Sequence, residues 1–293
     1  VAIADPAAVV PSRVPVWHGL EEVPAGHGRC VLTLGVFDGV HRGHARLIGE
    51  AVRLGESRGL PVVLVTFTPH PASVVGARKD TAALCSLGRR AELAAALGVD
   101  AICVLPFTRE FAQLSPEKFA ATVLARKLRA DAVVVGENFT FGHRGAGTVD
   151  TLRRLGRRHG FTTFSAVLLR EGDVRFSSTH IRDCLRRGDV RAATRALGRP
   201  HRVDGVLRDR ELMVARGTAL PAPGPYTALL AETRRVPVWV SERRTVAIEA
   251  TDLPSGAVQL EFVGNRLAEV PPAPDRRRHD VSEPGRAVRS ESR

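Results

Sequence analysis

The stretch Cys30-Val-Leu-Thr-Leu-Gly-Val-Phe-Asp-Gly-Val-His-Arg-Gly-His44 decides the fold. Its first half is a continuous apolar run, as expected of a strand buried on both faces. Its second half is a Gly-containing turn, after which Leu47, Ile48, Ala51 and Val52 recur at helical spacing. Strand, turn and amphipathic helix in this order open a parallel α/β sheet. The pattern continues downstream. Residues 61–67, 101–105, 132–135 and 161–169 read as further buried strands, and Phe119, Val123, Leu124 and Leu128 form the apolar stripe of the helix before the fourth. Sheets of this class cross over right-handedly and bind ligands at the carboxyl ends of their strands. Chemistry is therefore sought in the turns that follow strands.

The first such turn ends in His41-Arg-Gly-His44. Residues three apart share a helix face, and at a helix N-terminus both imidazoles join free backbone N–H groups and the positive end of the dipole. Gly43 has no side chain to keep a nucleotide away. Gly35, Phe37, Asp38 and Gly39 shape the turn around this cluster, which suits phosphate oxygens and contains no nucleophile. Direct phosphoryl-group transfer, in which positioning and charge stabilisation carry catalysis, fits it. A second cluster, Arg175-Phe-Ser-Ser-Thr-His-Ile-Arg182, follows the fifth strand. Ser178 or Thr179 is expected to cap the next helix, with Arg182 beside its start, making a second phosphate clamp. Two more strand-end loops carry Pro69 and His70 in one case, and Asn138, Phe139 and Phe141 in the other. Taken singly, each reads better as a well-packed turn than as a ligand contact. Neither a Walker loop nor a dinucleotide G-x-G-x-x-G is present.

The 293 residues are 44% apolar and 25% charged, enough for about two domains and against a mostly disordered chain. Forty-three basic residues, all Arg except Lys79, Lys118 and Lys127, give a net charge of +12. The charge is spread along the chain without a basic block interleaved with aromatics, and aromatics are only 5% of residues. Nucleic acid is therefore not the expected partner. An anionic small molecule is. No apolar run is long enough for a membrane span, and the apolar start, interrupted by Pro6 and Pro11 and lacking a basic lead, is against a secretory leader. Four well-separated cysteines fit a reduced, cytoplasmic protein, monomeric or weakly homo-oligomeric. After about residue 200, short β-branched runs between Pro and Gly predict a small β module, and 271–293 reads as a disordered tail.

In this order, G-x-F-D-G-V-H-x-G-H, T-F-x-P-H-P, G-E-N-F-x-F-G and S-S-T-x-I-R resemble the prokaryotic bifunctional riboflavin kinase/FAD synthetase family. The resemblance implies a Rossmann-like nucleotidyltransferase sheet over 13–187, a helical link at 188–200 and a flavokinase-like β-barrel over 201–270. It implies transfer of AMP from Mg–ATP to FMN, giving FAD and pyrophosphate. His41, His44 and Arg182 would be catalytic. Gly35, Phe37, Asp38, Gly39, Gly43, Arg175, Ser178 and Thr179 would bind the nucleotide, and Pro69, His70, Asn138, Phe139 and Phe141 would face the flavin. Which side chains would meet Mg2+ stays open. Many relatives have an acidic residue where Thr68 stands. The kinase motif G-x-x-x-G-F-P-T-A-N is missing from 205–221, and Ala247 stands where the family places its general base, with Glu249 two residues on. The module reads as a shortened barrel without riboflavin kinase activity. A bifunctional enzyme, a transferase for a modified flavin and a non-catalytic flavin or nucleotide sensor are the competing readings.

Overall fold

A computed structural model describes residues 14–76, 80–167, 169–172 and 174–264, so the expected tail lies outside the described residues. The chain runs β1 (Val16–His18), β2 (Cys30–Leu34), α1 (Arg42–Arg58), β3 (Val62–Thr68), a single turn α2 (Pro71–Val74), α3 (Leu87–Ala96) and β4 (Ala101–Pro106). It continues through α4 (Pro116–Lys118), a wide helix at Phe119–Lys127, β5 (Ala130–Gly136), α5 (Val149–His159) and β6 (Thr162–Ala166). A ribbon of β7 (Arg170–Glu171) and β8 (Val174–Arg175) then leads to α6 (Ser178–Arg186) and α7 (Val190–Leu197).

The first six strands form one parallel sheet in the order β1-β4-β3-β2-β5-β6. Cys30–Leu34 is buried at every position because β2 lies inside the sheet with helices on both faces. One face packs Ile48, Ala51, Ala91 and Ala94 from α1 and α3, the other Phe119, Val123, Leu124, Leu152 and Leu155. α1 lies close to the sheet because residue 55 is glycine: a Cβ there would sit 2.6 Å from Val62 Cγ2 and 2.8 Å from Leu60 O. The chain winds outward from β2 to β4, then returns to place β5 on the other side of β2. The crevice between the carboxyl ends of β2 and β5 is thus the topological switch point, where such sheets take ligands.

The remaining strands, β9 (His201–Arg208), β10 (Glu211–Val214), β11 (Gly224–Leu230), β12 (Arg234–Val240), β13 (Val246–Ile248) and β14 (Gly256–Gly264), close an antiparallel barrel. Its module is short because its connections are short, as at the two-residue turn Asp209-Arg210, where both residues have positive φ. Alternate residues such as Tyr226, Ala228 and Leu230 fill its interior. α6 and α7 share that apolar cluster through Ile181, Leu185, Val190, Ala193 and Leu197, and Leu84 joins it from the sheet side. The link helix is therefore part of the barrel's core.

Two local expectations change. The fifth expected strand, 161–169, stops at Ala166, where the chain leaves the sheet for the β7–β8 ribbon. The cap of α6 is Ser177, whose Oγ accepts from His180 N at 3.2 Å. Ser178 is instead the first helical residue, and its hydroxyl donates to Asp38 O at 3.0 Å.

Candidate nucleotide-binding site

A cavity of about 560 Å3 opens at the switch point. It is lined by Gly35, Phe37, His41, Gly43 and His44 after β2, His70 after β3, Asn138 and Phe139 after β5, and Arg175, Ser178, Thr179 and Arg182 at the start of α6. All four turns named in the sequence therefore converge on one space. Asp38, Gly39, Pro69 and Phe141 are not among its lining residues. Asp38 and Gly39 are buried behind it, and Phe141 packs between Phe119 and Phe139 at ring distances of 5.7 Å to each.

His41 is the N-cap of α1: its Nδ1 accepts from His44 N at 3.3 Å. A neutral ring accepting at Nδ1 carries its proton on Nε2. The two imidazoles are stacked 3.6 Å apart, and Phe37 meets His44 edge-on at 5.2 Å. Burial, reinforced by the Arg199, Arg175 and Arg182 cations, pushes His41 down to about 3, and burial with His41 beside it holds His44 well below its ordinary value. Both rings are therefore neutral hydrogen-bonding groups at pH 7. His44 Nδ1 is buried without a hydrogen-bond partner. A Cβ at Gly43 would stand 3.1 Å from His41 Cε1, so glycine is what lets the ring lie against this turn.

Behind the histidines lies a buried charge cluster. Asp38, 2% exposed, accepts from Arg182 at 2.5 Å and from Leu84 N at 3.0 and 3.1 Å, and stands 3.7 Å from Arg90. Arg182 also donates to Ala82 O at 2.7 Å. Asp38 is thus an anchor for the turn, and much of Arg182 is committed to holding it. Arg175 makes no ion pair among the described residues and is the cavity's available guanidinium, whereas Arg186 is engaged by Asp183 and Asp80. Arg199, in the Leu197-Gly-Arg-Pro200 end of the link, donates to Gly39 O at 2.5 Å and Val40 O at 3.1 Å. The link's own sequence carries no sign of this contact with a turn 160 residues earlier.

The two carboxylates on the cavity, Asp80 and Asp183, both face Arg186, and no group of three His, Cys, Asp or Glu able to hold a metal occurs among the described residues. This donor set does not fit a resident Mg2+.

The buried histidines have a consequence for stability. Besides His41 and His44, burial pushes His201 down to about 4. Below the unfolded value near 6.5 the unfolded chain takes up protons that these folded rings refuse. Stability is therefore full above about pH 7 and falls as pH drops through 6 toward 4, by up to about 1.4 kcal/mol per pH unit for each ring. Urea midpoints at pH 7.5, 6 and 5 should fall steadily; a constant midpoint would contradict this assignment.

Residues 23–180 match the FAD synthetase family. Bifunctional riboflavin kinase/FMN adenylyltransferases are similar to this chain: that of Escherichia coli K12 is 36% identical over 188 residues, 64% of this chain and 59% of that protein. That of Pseudomonas fluorescens is 34% identical over 222 residues, covering 75% and 69%, and that of Bacillus subtilis 34% over 196 residues, covering 66% and 61%. The alignments thus span about three fifths of the length of most of these relatives. The crystal structure of a macrolide-efflux protein from Streptococcus pneumoniae, 23% identical, superposes with a TM-score of 0.76 over 86% of this chain and 99% of that one, and so shares its fold. No helix among the described residues is long and apolar enough to cross a membrane. With more than half of its length matched to the family and the family's motifs gathered at one cavity, the chain belongs to the FAD synthetase family.

Proposed function

We propose that the chain is an FMN adenylyltransferase that makes FAD and pyrophosphate from FMN and Mg–ATP, and that it does not phosphorylate riboflavin. The observation that carries the first part is the convergence on one cavity of two helix N-termini, the stacked His41 and His44, and Arg175, which has no ion pair among the described residues. An FMN phosphate oxygen would attack the α-phosphorus of ATP. As that P–O bond forms, the bond to pyrophosphate breaks and the electron pair leaves with pyrophosphate. Neutral His41, with its proton on Nε2, and His44 stacked on it would both donate to the phosphate oxygens and stabilise the charge that develops there. The α6 N-terminus, Ser178, Thr179 and Arg175 would hold the pyrophosphate, and Arg182 would keep the turn in place through Asp38. Mg2+ would arrive with ATP and neutralise phosphate charge. Asn138, Phe139 and His70 would border the flavin. We place the reaction in the cytoplasm, where ATP is available and the buried free cysteines stay reduced, in a monomer or weak homo-oligomer.

Two features support loss of the kinase step. The stretch where the kinase phosphate loop is expected packs Ala219 and Leu220 into the interior. Ala247 lies on the outward side of β13, opposite buried Val246 and Ile248, and Glu249, one residue past the strand's end, is exposed. Chromatography of reactions containing Mg–ATP with FMN or riboflavin tests both parts. FAD from FMN and no product from riboflavin is expected. FMN or FAD from riboflavin would overturn the second part, and no FAD from FMN the first.

A further inference from the structure

The turn that presents His41 is held in an unfavourable backbone. Phe37, Gly39 and Val40 have φ of 51°, 78° and 36°, a region that a β-branched residue such as Val40 avoids unless its surroundings impose it. Much of what imposes it comes from outside the strand–helix unit. Leu84 N donates to Asp38, Gly39 N donates to Cys85 Sγ at 3.3 Å, and Ala82 O accepts from Arg182. Residues 82–85 therefore form a strap with one edge on the turn.

The other edge of the strap lies on the barrel. Ala83 N donates to Gly217 O at 2.7 Å, and Ala219 N donates back to Ala83 O at 2.8 Å, a parallel bridge between Ala83 and Thr218. The barrel side is itself fixed: His201 Nε2 donates to Ala219 O at 2.8 Å, and Arg244 to Thr218 O at 3.0 Å. Ser86 Oγ adds a bond to Asp204 on β9 at 2.9 Å. Hydrogen bonds thus run from the barrel wall to the turn that carries the histidines, backbone to backbone at the Ala83 bridge and through the side chains of His201, Arg244, Asp38 and Cys85 at its two ends.

We propose that the barrel acts as a positioning module for the phosphate-binding turn: the 217–219 segment fixes strap 82–85, and the strap holds Asp38 and Gly39 so that His41 and His44 stay in register with α6. This deepens the adenylyltransferase reading and rests on it for the effect on turnover, though not for the geometry. A barrel with no kinase site of its own would then still be required by the neighbouring site.

The test uses the full chain. Ala83→Pro removes the N–H given to Gly217, whereas Ala83→Gly keeps it. For Ala83→Pro, FAD turnover should fall about ten- to a hundredfold, the cost of sub-ångström misplacement of reacting groups. KM for FMN should stay within about twofold, because Asn138 and Phe139 belong to the loop after β5, and the hydrogen bonds of the strap go to the turn after β2 and to the barrel. Hydrogen exchange should accelerate at the Gly39, Val40 and Leu84 amides while Val31 and Leu64 in the sheet keep their protection. Ala83→Gly should match the wild type. If Ala83→Pro does not fold, Ala219→Pro cuts the bridge from the barrel side and carries the same expectations. Unchanged turnover and unchanged exchange at Gly39 and Val40 in a folded proline variant would overturn the proposal. A wild-type chain that makes no FAD would overturn the adenylyltransferase reading instead, and exchange at the turn would then decide the clamp alone.

Discussion

Replacing His44 with alanine lowers the rate of FAD formation by about 10²–10³-fold, the usual cost of losing one preorganised donor at a transition-state oxyanion. The geometry makes the loss larger than that of one contact. His44 stacks on His41 at 3.6 Å, so its removal takes away the surface against which the His41 ring is oriented. The backbone bond from His44 N to His41 Nδ1 survives in the variant, which keeps the His41 tautomer. The effect should accordingly fall on kcat more than on KM, because a donor aimed at developing charge contributes most in the transition state. His44 makes no ion pair among the described residues, and the thermal midpoint separates loss of the donor from loss of the ring packed on His41 and Phe37. Initial rates measured by chromatography, with thermal unfolding alongside, check this. A fall of less than about fivefold in a folded variant would remove His44 from the reaction.

Replacing Asp38 with alanine has the largest expected effect on stability. The variant leaves Arg182, 4% exposed, with a buried charge and no carboxylate, and Leu84 N without its acceptor. Breaking a buried pair from one side costs about 3–5 kcal/mol, because the desolvated partner charge remains. For a chain of this size, that corresponds to a fall in Tm of roughly 10 °C. Asp38→Asn keeps an acceptor for Leu84 N but not the charge, and should lie between the two. Activity should fall with stability in Asp38→Ala, since the same carboxylate anchors the turn that presents His41. Calorimetry of the three proteins decides it. A Tm within about 2 °C of the wild type in Asp38→Ala would mean that Arg182 finds water or another partner, and the anchoring role would be lost.

Much of the sheet is legible because its strands are buried on both faces and separated by periodic helices. Four of the five strands read from apolar runs occupy nearly the expected residues, and the clusters sit at strand ends as the α/β rule requires. The elements that escape have physical reasons. β1 is three residues long at the sheet edge, too short for a pattern. The helix at Phe119–Lys127 closes an i→i+5 bond from Leu128 N to Val123 O, whereas the spacing of Phe119, Val123, Leu124 and Leu128 is that of an ordinary helix stripe and does not reveal it. β9 alternates buried and partly exposed positions, but two of the inward ones are His201 and Gly205. A hydrophobicity pattern does not count these. Gly205 is required there, since a Cβ would lie 2.5 Å from Met213 O.

The same division runs through the site. Residue types and spacing alone mark His41 and His44 as a pair on one helix face, Gly43 as the open position between them, and the Ser178–Arg182 stretch as their counterpart, because each depends on neighbours within one turn of helix. Which groups are free to meet a ligand depends on contacts between residues far apart in the chain. Asp38 meets Arg182 across 144 positions and Leu84 across 46, and Arg199 reaches Gly39 across 160. Such pairings leave no periodic trace. They turn a carboxylate expected on the nucleotide into an anchor, commit one arginine and leave Arg175 available. Burial, also a property of the assembled chain, makes both histidines neutral. Local chemistry names the participants; long-range packing assigns their charges, partners and tasks.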